Sequence, residues 1–140
     1  MLCVVPVDAS PDGMDGMDAQ PPALTCDDPG PIALGDTVMG NTSAAMSFVS
    51  ATCGGFSNVG REHIYKLDVP IGTQIMVTMP MGAQAAYVIN QCEPFPSSCL
   101  GNARAVMGAG ITVTTAVRPS FIVVDNATAN AGGPYTLHVQ

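Results

Sequence analysis

The sequence predicts an all-β domain, a jelly-roll-like antiparallel β-sandwich of about eight or nine strands, and three observations predict it. Short apolar runs alternate with polar residues at period two, as strands with one buried face do. Clusters of Gly, Pro and Asn, which are typical turn residues, separate these runs. Only 11% of the 140 residues are charged, so the side chains that usually cover helix surfaces are scarce.

The first candidate strand is 32–34, and Gly35-Asp36 provides the turn into a second run at 37–39. A third candidate covers 45–49. The fourth run, 63–69, ends before Pro70, because proline cannot donate a hydrogen bond to a strand ladder. Alternation gives this fourth run one inward face of Tyr65, Leu67 and Val69.

The remaining candidate strands show the same alternation between turn residues. In the run 74–79 the inward residues are Ile75, Val77 and Met79. The later runs are 85–90, 103–107, 111–117, 120–125 and 135–139. In the last of these, Tyr135, Leu137 and Val139 point inward. These runs are sufficient for two packed sheets.

A change in composition divides the chain into a tail and a domain. Residues 1–23 are acidic and rich in Gly and Pro, so we expect a disordered linker or tail, followed by a β-sandwich domain over 24–140. The apolar start is too short for a signal peptide. If it is the end of a longer precursor, Cys3 is a candidate lipid anchor; otherwise Cys3 is the unpaired cysteine.

The net charge of −7 disfavours two classes of partner, nucleic acids and anionic membrane surfaces. The apolar runs are also far shorter than the roughly 20 residues of a membrane span, so no transmembrane segment is expected.

Five cysteines leave one over after pairing. We expect Cys92 to pair with Cys99 across the stiff loop 93–98, and Cys26 to pair with Cys53. Each disulfide would contribute about 2–4 kcal/mol and implies an oxidising compartment. The alternatives are free buried cysteines or a zinc site, but a zinc site lacks the usual C-x2-C pair and neighbouring histidines.

Several segments resemble the bacterial pre-peptidase C-terminal-like domains. Cys53-Gly54-Gly55 with the strand 60–70 is similar to that family's cysteine, glycines and tyrosine-containing strand. The loop 92–99 resembles the family's cysteine loop, and the strands 121–125 and 133–139 resemble its last two strands. The resemblance covers about residues 24–140. Glu62, His63 and the stretch 94–96 depart from the family pattern.

The resemblance implies a non-catalytic domain that accompanies secreted peptidases and other exported proteins. Some members of that family bind substrate polymers or calcium. The sequence offers five carboxylates that would form a calcium site if they converged at one end of the sandwich: Asp27, Asp28, Asp36, Asp68 and Asp125. A glycan site would use exposed aromatic rings, for which Tyr87 and Phe95 are the candidates, since Tyr65 and Tyr135 face inward.

Catalytic chemistry finds little support in the sequence. His63 and His138 are predicted to be surface residues, and the G-x-S-x-G turn of many serine hydrolases is missing. A copper site would need methionines clustered with His or Cys, which the predicted strands do not suggest. We expect the methionines near strands to fill gaps in the core: Met39, Met46, Met76, Met79, Met81 and Met107.

The sequence therefore predicts a non-catalytic accessory domain that is secreted or held at a bacterial cell surface. It would serve a larger exported protein or lipoprotein as a spacer, a folding module or a weak binding module. Its partners would be an extracellular polymer or other domains of the parent protein. The alternative is a calcium- or glycan-binding module, and an enzyme comes third.

Overall fold

Ten strands and one short 3-10 helix make up the part of the chain that the computed structural model describes. The described residues are 21–46, 51–53, 56–58, 60–92, 99–100, 103–126, 128 and 131–140. The strands are β1 (Gly30–Ile32), β2 (Thr37–Asn41), β3 (Ala51–Cys53), β4 (Phe56–Asn58), β5 (His63–Leu67), β6 (Gln74–Gly82), β7 (Ala85–Ile89), β8 (Ile111–Thr114), β9 (Ser120–Asp125) and β10 (Pro134–Val139). The predicted linker 1–23 lies almost wholly outside the described residues.

Eight of these strands form two four-stranded sheets. The first sheet has the order β1-β5-β9-β7, and the second has the order β2-β10-β6-β8. All pairings are antiparallel except β1 with β5. The two remaining strands, β3 and β4, pair only with each other. The predicted all-β sandwich is therefore confirmed.

The main core lies between the two sheets and follows the predicted alternation. In β6, Ile75, Val77 and Met79 are buried while Gln74 and Met76 are exposed. Strand β10 buries the residues predicted from its sequence, and β5 contributes Tyr65 and Leu67 to the same cluster. Each large apolar side chain buried here contributes about 1.5–3 kcal/mol, which makes this layer the main source of stability.

A second apolar cluster covers the outer face of the first sheet. It consists of Ile64, Tyr87, Ile89 and Val123, all fully buried. Cys92 and Cys99, in the segments that follow β7, pack against it, and Cys99 pairs with Ile89. On the opposite face Ala86 and Val88 belong to the main core, and Ala105 pairs with Ala86 at the edge of the sheet. For this reason all five residues of β7 are buried. The first sheet is thus enclosed on both faces, although the alternation of β5 had predicted one outward face.

A disulfide bond ties this cover to the sheet. It joins Cys26 in the segment before β1 to Cys92 just after β7, with Cα atoms 5.5 Å apart and a sequence separation of 66. Both cysteines, together with Cys99, pack against the outer cluster. The predicted pairs Cys26–Cys53 and Cys92–Cys99 are therefore wrong. The side chain of Cys53, and all of Cys3, lie outside the described residues.

On the outer face of the second sheet, several large side chains of the described residues are exposed. Most methionines predicted to fill the core are exposed instead; Met39 is 78% exposed, and Met46, Met76, Met81 and Met107 are exposed as well. Only Met79, at 1% exposure, has the predicted core position. Strand alternation explains the result, because Met39 and Met81 both lie across from Thr136 on the solvent side of the sheet.

One predicted strand is not a regular strand, and another lies mostly outside the described residues. After β2 the chain forms a 3-10 helix, Thr42–Ala44, whose first turn is capped by Asn41. The predicted strand 45–49 follows this helix, and only its residues 45–46 are described. In the run 103–107 only isolated bridges form, at Ala105 and Val106. No helix in the described ranges is long and apolar enough to cross a membrane.

Candidate functional site

The start of β5 lies beside two groups of hydrogen-bonded polar side chains. Glu62 and His63 are adjacent in sequence, so strand alternation sends them to opposite faces of the first sheet. Glu62 joins a hydrogen-bond network on the outer face, and His63 joins another between the sheets. Both residues also line one cavity.

The outer network contains two buried carboxyl groups. Asp125, at the end of β9, accepts a hydrogen bond from the Tyr87 hydroxyl at 2.8 Å and another from the Asn126 backbone at 2.6 Å. The Glu62 carboxyl also hydrogen-bonds Asp125. Glu62, Tyr87 and Asp125 are all 1% exposed or less. Carboxyl groups in contact away from water favour sharing one proton, because two adjacent buried negative charges repel each other.

The protonation of this network follows from its burial. Burial raises the pKa of Asp125 to about 6, although hydrogen bonds from Asn126, Tyr87 and Glu62 act in the opposite direction. Burial and the neighbouring Asp125 carboxylate raise the pKa of Tyr87, so its hydroxyl stays a donor. The group in this network that changes charge near neutral pH is therefore the Asp125 carboxyl, with its pKa of about 6, and not the Tyr87 phenol.

The inner network joins three ring side chains. A hydrogen bond of 2.8 Å links His63 Nδ1 to the Tyr135 hydroxyl, and one of 2.6 Å links the Tyr135 and Tyr65 hydroxyls. Burial lowers the pKa of His63, which favours the neutral imidazole. Burial raises the pKa of both tyrosines. The His63 Nδ1 atom and the two tyrosine hydroxyls thus satisfy one another inside an apolar layer.

A glycine makes room for this inner network. Gly40 on β2 pairs with Tyr135 on β10. A Cβ atom at Gly40 would lie 2.5 Å from the Tyr135 hydroxyl oxygen. The missing side chain at this position therefore allows the Tyr135 ring to extend towards His63.

A cavity of about 290 Å³ opens beside these networks. It lies between the segment before β1, the 3-10 helix that follows β2, and the start of β5. Its lining residues are Ala23, Thr25, Asn41, Ala44, Ala45, Met46, Glu62 and His63. At about 30 Å³ per water molecule the volume corresponds to roughly ten waters, which is at the small end of ligand pockets.

The five carboxylates predicted as calcium ligands have separate local roles. Asp28 accepts a hydrogen bond from the Ala23 backbone and Asp36 one from Ala33. Asp68 forms a 2.7 Å ion pair with Arg118, and Asp27 is exposed. Asp125 belongs to the buried network. In the described ranges, no three His, Cys, Asp or Glu side chains are grouped so that they could hold a metal ion. Calcium binding stays a prediction.

The predicted aromatic pair is not available as an exposed platform. Tyr87 is fully buried, so the expectation that it is exposed is wrong. Its ring fills the outer cluster and its hydroxyl is used by Asp125. Phe95 lies outside the described residues. His63, expected at the surface, is half-buried through its bond to Tyr135.

The sequence contains little that would have located either network. Glu62 precedes a strand and Asp125 ends one, and both read as ordinary exposed acids in such positions. The pairing of β5 with β9 places His63 opposite Val124, which brings the next residues, Glu62 and Asp125, together. The apolar run 121–124 directly before Asp125 was the one indication that this carboxylate ends a buried strand.

Comparison with known proteins gives a likeness of fold. No family model and no curated protein match the chain. It is similar in structure to PliG from Aeromonas hydrophila, a periplasmic inhibitor of g-type lysozyme, with a TM-score of 0.53 and 11% identity. It is also similar to the pre-peptidase C-terminal domain of a collagenase from Bacillus anthracis, with a TM-score of 0.44 and 16% identity. Each comparison covers 79% of this chain and 93% of the other.

The second of these structures comes from the family that the sequence resembles. At 11% identity the first likeness shows a shared fold and nothing about a shared partner.

Proposed function

We propose that this chain is a non-catalytic, exported accessory domain, a rigid β-sandwich module of a larger secreted protein or lipoprotein. The observation that carries the proposal is the disulfide between Cys26 and Cys92. Such bonds persist in oxidising compartments and are rare in reducing ones. Closing a loop of 66 residues contributes about 4 kcal/mol in the chain-entropy model, so the fold is more stable in an oxidising environment.

The use of the buried ionisable groups supports the non-catalytic part of the proposal. His63, Tyr65 and Tyr135 bond one another, and Tyr87 bonds Asp125. A catalytic base must instead reach a proton on a bound substrate. We assign the polar side chains near the start of β5 a structural role, in which they stabilise the sandwich.

Export can be tested by producing the chain in the periplasm and in the cytoplasm of one bacterial host. We expect peptide mapping to find the Cys26–Cys92 crosslink only in the periplasmic protein. Reductant should lower the free energy of unfolding of that protein by about 2–4 kcal/mol. The matched control is the double variant Cys26→Ala, Cys92→Ala, which should not respond to reductant at this bond.

Two results would contradict the proposal. One is a periplasmic protein in which Cys26 and Cys92 are both alkylated without reduction. The other is turnover of peptide, ester or glycoside substrates by the purified chain, at a rate typical of enzymes, that is lost in a folded variant such as Asp125→Asn.

A further inference from the structure

The cavity beside His63 has features of a binding site that the proposed function does not use. Its wall is mostly apolar, formed by three alanines and Met46, whose side chain is 74% exposed at the rim. The polar groups at the wall are few and come from different segments: Thr25, Asn41, Glu62 and His63. A mostly apolar cavity with a few polar groups is the common form of a small-molecule site.

His63 is the polar group best placed to choose a ligand. Its Nδ1 atom hydrogen-bonds the Tyr135 hydroxyl, and this bond fixes the orientation of the imidazole ring. The edge-to-face contact of the two rings, with centroids 5.7 Å apart, adds to this constraint. The Nε2 atom on the opposite side of the ring then remains for a ligand that carries one hydroxyl or amide group.

The charges around the cavity disfavour ionic ligands. Among the described residues that line it there is no Lys or Arg, and the adjacent Arg61 donates its Nη1 hydrogen to the Ala45 carbonyl oxygen at 2.9 Å. The Glu62 carboxyl hydrogen-bonds Asp125, and its Oε2 atom is buried without a further hydrogen bond among the described residues. Burial lowers the pKa of His63, so the imidazole adds no positive charge at neutral pH. An anion entering this space would lose hydration beside the Glu62 carboxyl, and a cation would have to compete with the hydrogen bond between Glu62 and Asp125.

We propose that this cavity binds a small, uncharged and mainly apolar molecule that carries a single hydroxyl or amide group. The volume of about 290 Å³ suits a molecule of roughly one ring with a short substituent. Ala44 and Ala45 contact the apolar part, and His63 bonds the polar group. A ligand with so few atoms binds weakly, with a Kd on the order of 1 mM for a simple probe.

Three probes with the same ring and different charges test this inference. Benzyl alcohol, benzoate and benzylammonium are titrated into the ¹⁵N-labelled protein at pH 7, and amide and His63 ring resonances are followed by NMR. We expect saturable shifts at residues 41–46 and 62–63 with benzyl alcohol. Benzoate should bind at least about tenfold more weakly, because it would lie beside the Glu62 carboxyl, and benzylammonium should bind more weakly than benzyl alcohol, because it would lose hydration in a mostly apolar space.

A matched pair of variants locates the binding. Ala44 and Ala116 are both exposed alanines, and only Ala44 lines the cavity. Ala44→Phe should fill the space and remove the shifts, whereas Ala116→Phe should leave the Kd within about twofold of the unmodified protein. Equal binding of all three probes, shifts that do not saturate, or shifts that persist in Ala44→Phe would overturn the inference. The proposal of an exported accessory domain does not depend on this outcome.

Discussion

The two sheets of the sandwich differ in how many of their faces are buried. The first sheet packs against the second on one face and against its own cover of loops and a disulfide on the other. The second sheet leaves its outer face to solvent, where Met39, Met76 and Met81 are exposed. The same alternation of residues thus produces a stabilising layer in one sheet and a solvated surface in the other.

This difference also decides where polar groups carry energetic weight. On the enclosed outer face of the first sheet, the Asp125 and Glu62 carboxyls are removed from water and must be protonated or bonded. On the open face of the second sheet, His138 bonds Thr37 and Gln140 in contact with solvent. Similar substitutions on the two outer faces should therefore have very different effects on the free energy of unfolding.

The largest expected effect is at Ile64, on the enclosed outer face. Its side chain is fully buried beside Tyr87 and Val123. Ile64→Ala should lower the free energy of unfolding by about 2–5 kcal/mol, because it removes buried methyl groups and leaves a cavity. Urea denaturation measures the change. A loss below about 1 kcal/mol would mean that the cover over this face is loose and the two outer faces are alike.

The buried carboxyl pair should make stability depend on pH. The folded-state pKa of Asp125 is raised from its usual value to about 6. The folded protein therefore binds more protons than the unfolded chain between about pH 4 and pH 6. The stability contributed by this group is complete below about pH 4 and is lost as pH rises through about 6, by up to about 3 kcal/mol.

The Asp125→Asn variant is the control for this pH effect. It keeps an acceptor for the Tyr87 hydroxyl but does not ionise. Urea denaturation between pH 4 and pH 7 should show a drop in the unmodified protein that is absent from the variant. Parallel curves for the two proteins would show that the pair stays in one protonation state over this range.

A smaller effect is expected in the inner network, where only one atom is removed. Tyr135→Phe deletes the hydroxyl that bonds both His63 and Tyr65. The two remaining polar groups are partly able to reach other partners, because His63 is half-buried, so we expect a loss of about 1–3 kcal/mol. Tyr65→Phe removes only the terminal hydroxyl of the network and should cost less. If thermal unfolding showed a larger loss of stability for Tyr65→Phe than for Tyr135→Phe, Tyr135 would not be the central residue of the network.

The sequence predicted the layer between the sheets well and the enclosed outer face poorly. Alternation in 74–79 and 135–139 is a local property, and these runs are strands with the predicted inward residues. The cover depends on which distant segments meet. Cys26 bonds Cys92 across 66 residues, a choice that sequence spacing does not encode. The contact of Glu62 with Asp125 likewise follows from the register of β5 with β9.

The methionines also show that burial could not always be predicted from the sequence alone. Their apolar character predicted core positions, whereas strand order places Met39 and Met81 on either side of Thr136 at the surface. The type of a residue does not show whether the face of the sheet on which it lies is covered by another layer. That information comes from the strand pairing, which brings β2, β10 and β6 side by side.

The smallest expected effect is at Met39, the counterpart of Ile64 on the open outer face. Its side chain is 78% exposed, so Met39→Ala removes few contacts and leaves no cavity. We expect a change within about 0.5 kcal/mol in the same urea measurement, as for most surface substitutions. A loss comparable to that of Ile64→Ala would mean that the Met39 face is covered in solution, for example by a second copy of the chain. In that case the difference in unfolding free energy between the unmodified protein and Met39→Ala should grow with protein concentration and disappear on dilution, because burial between copies follows mass action.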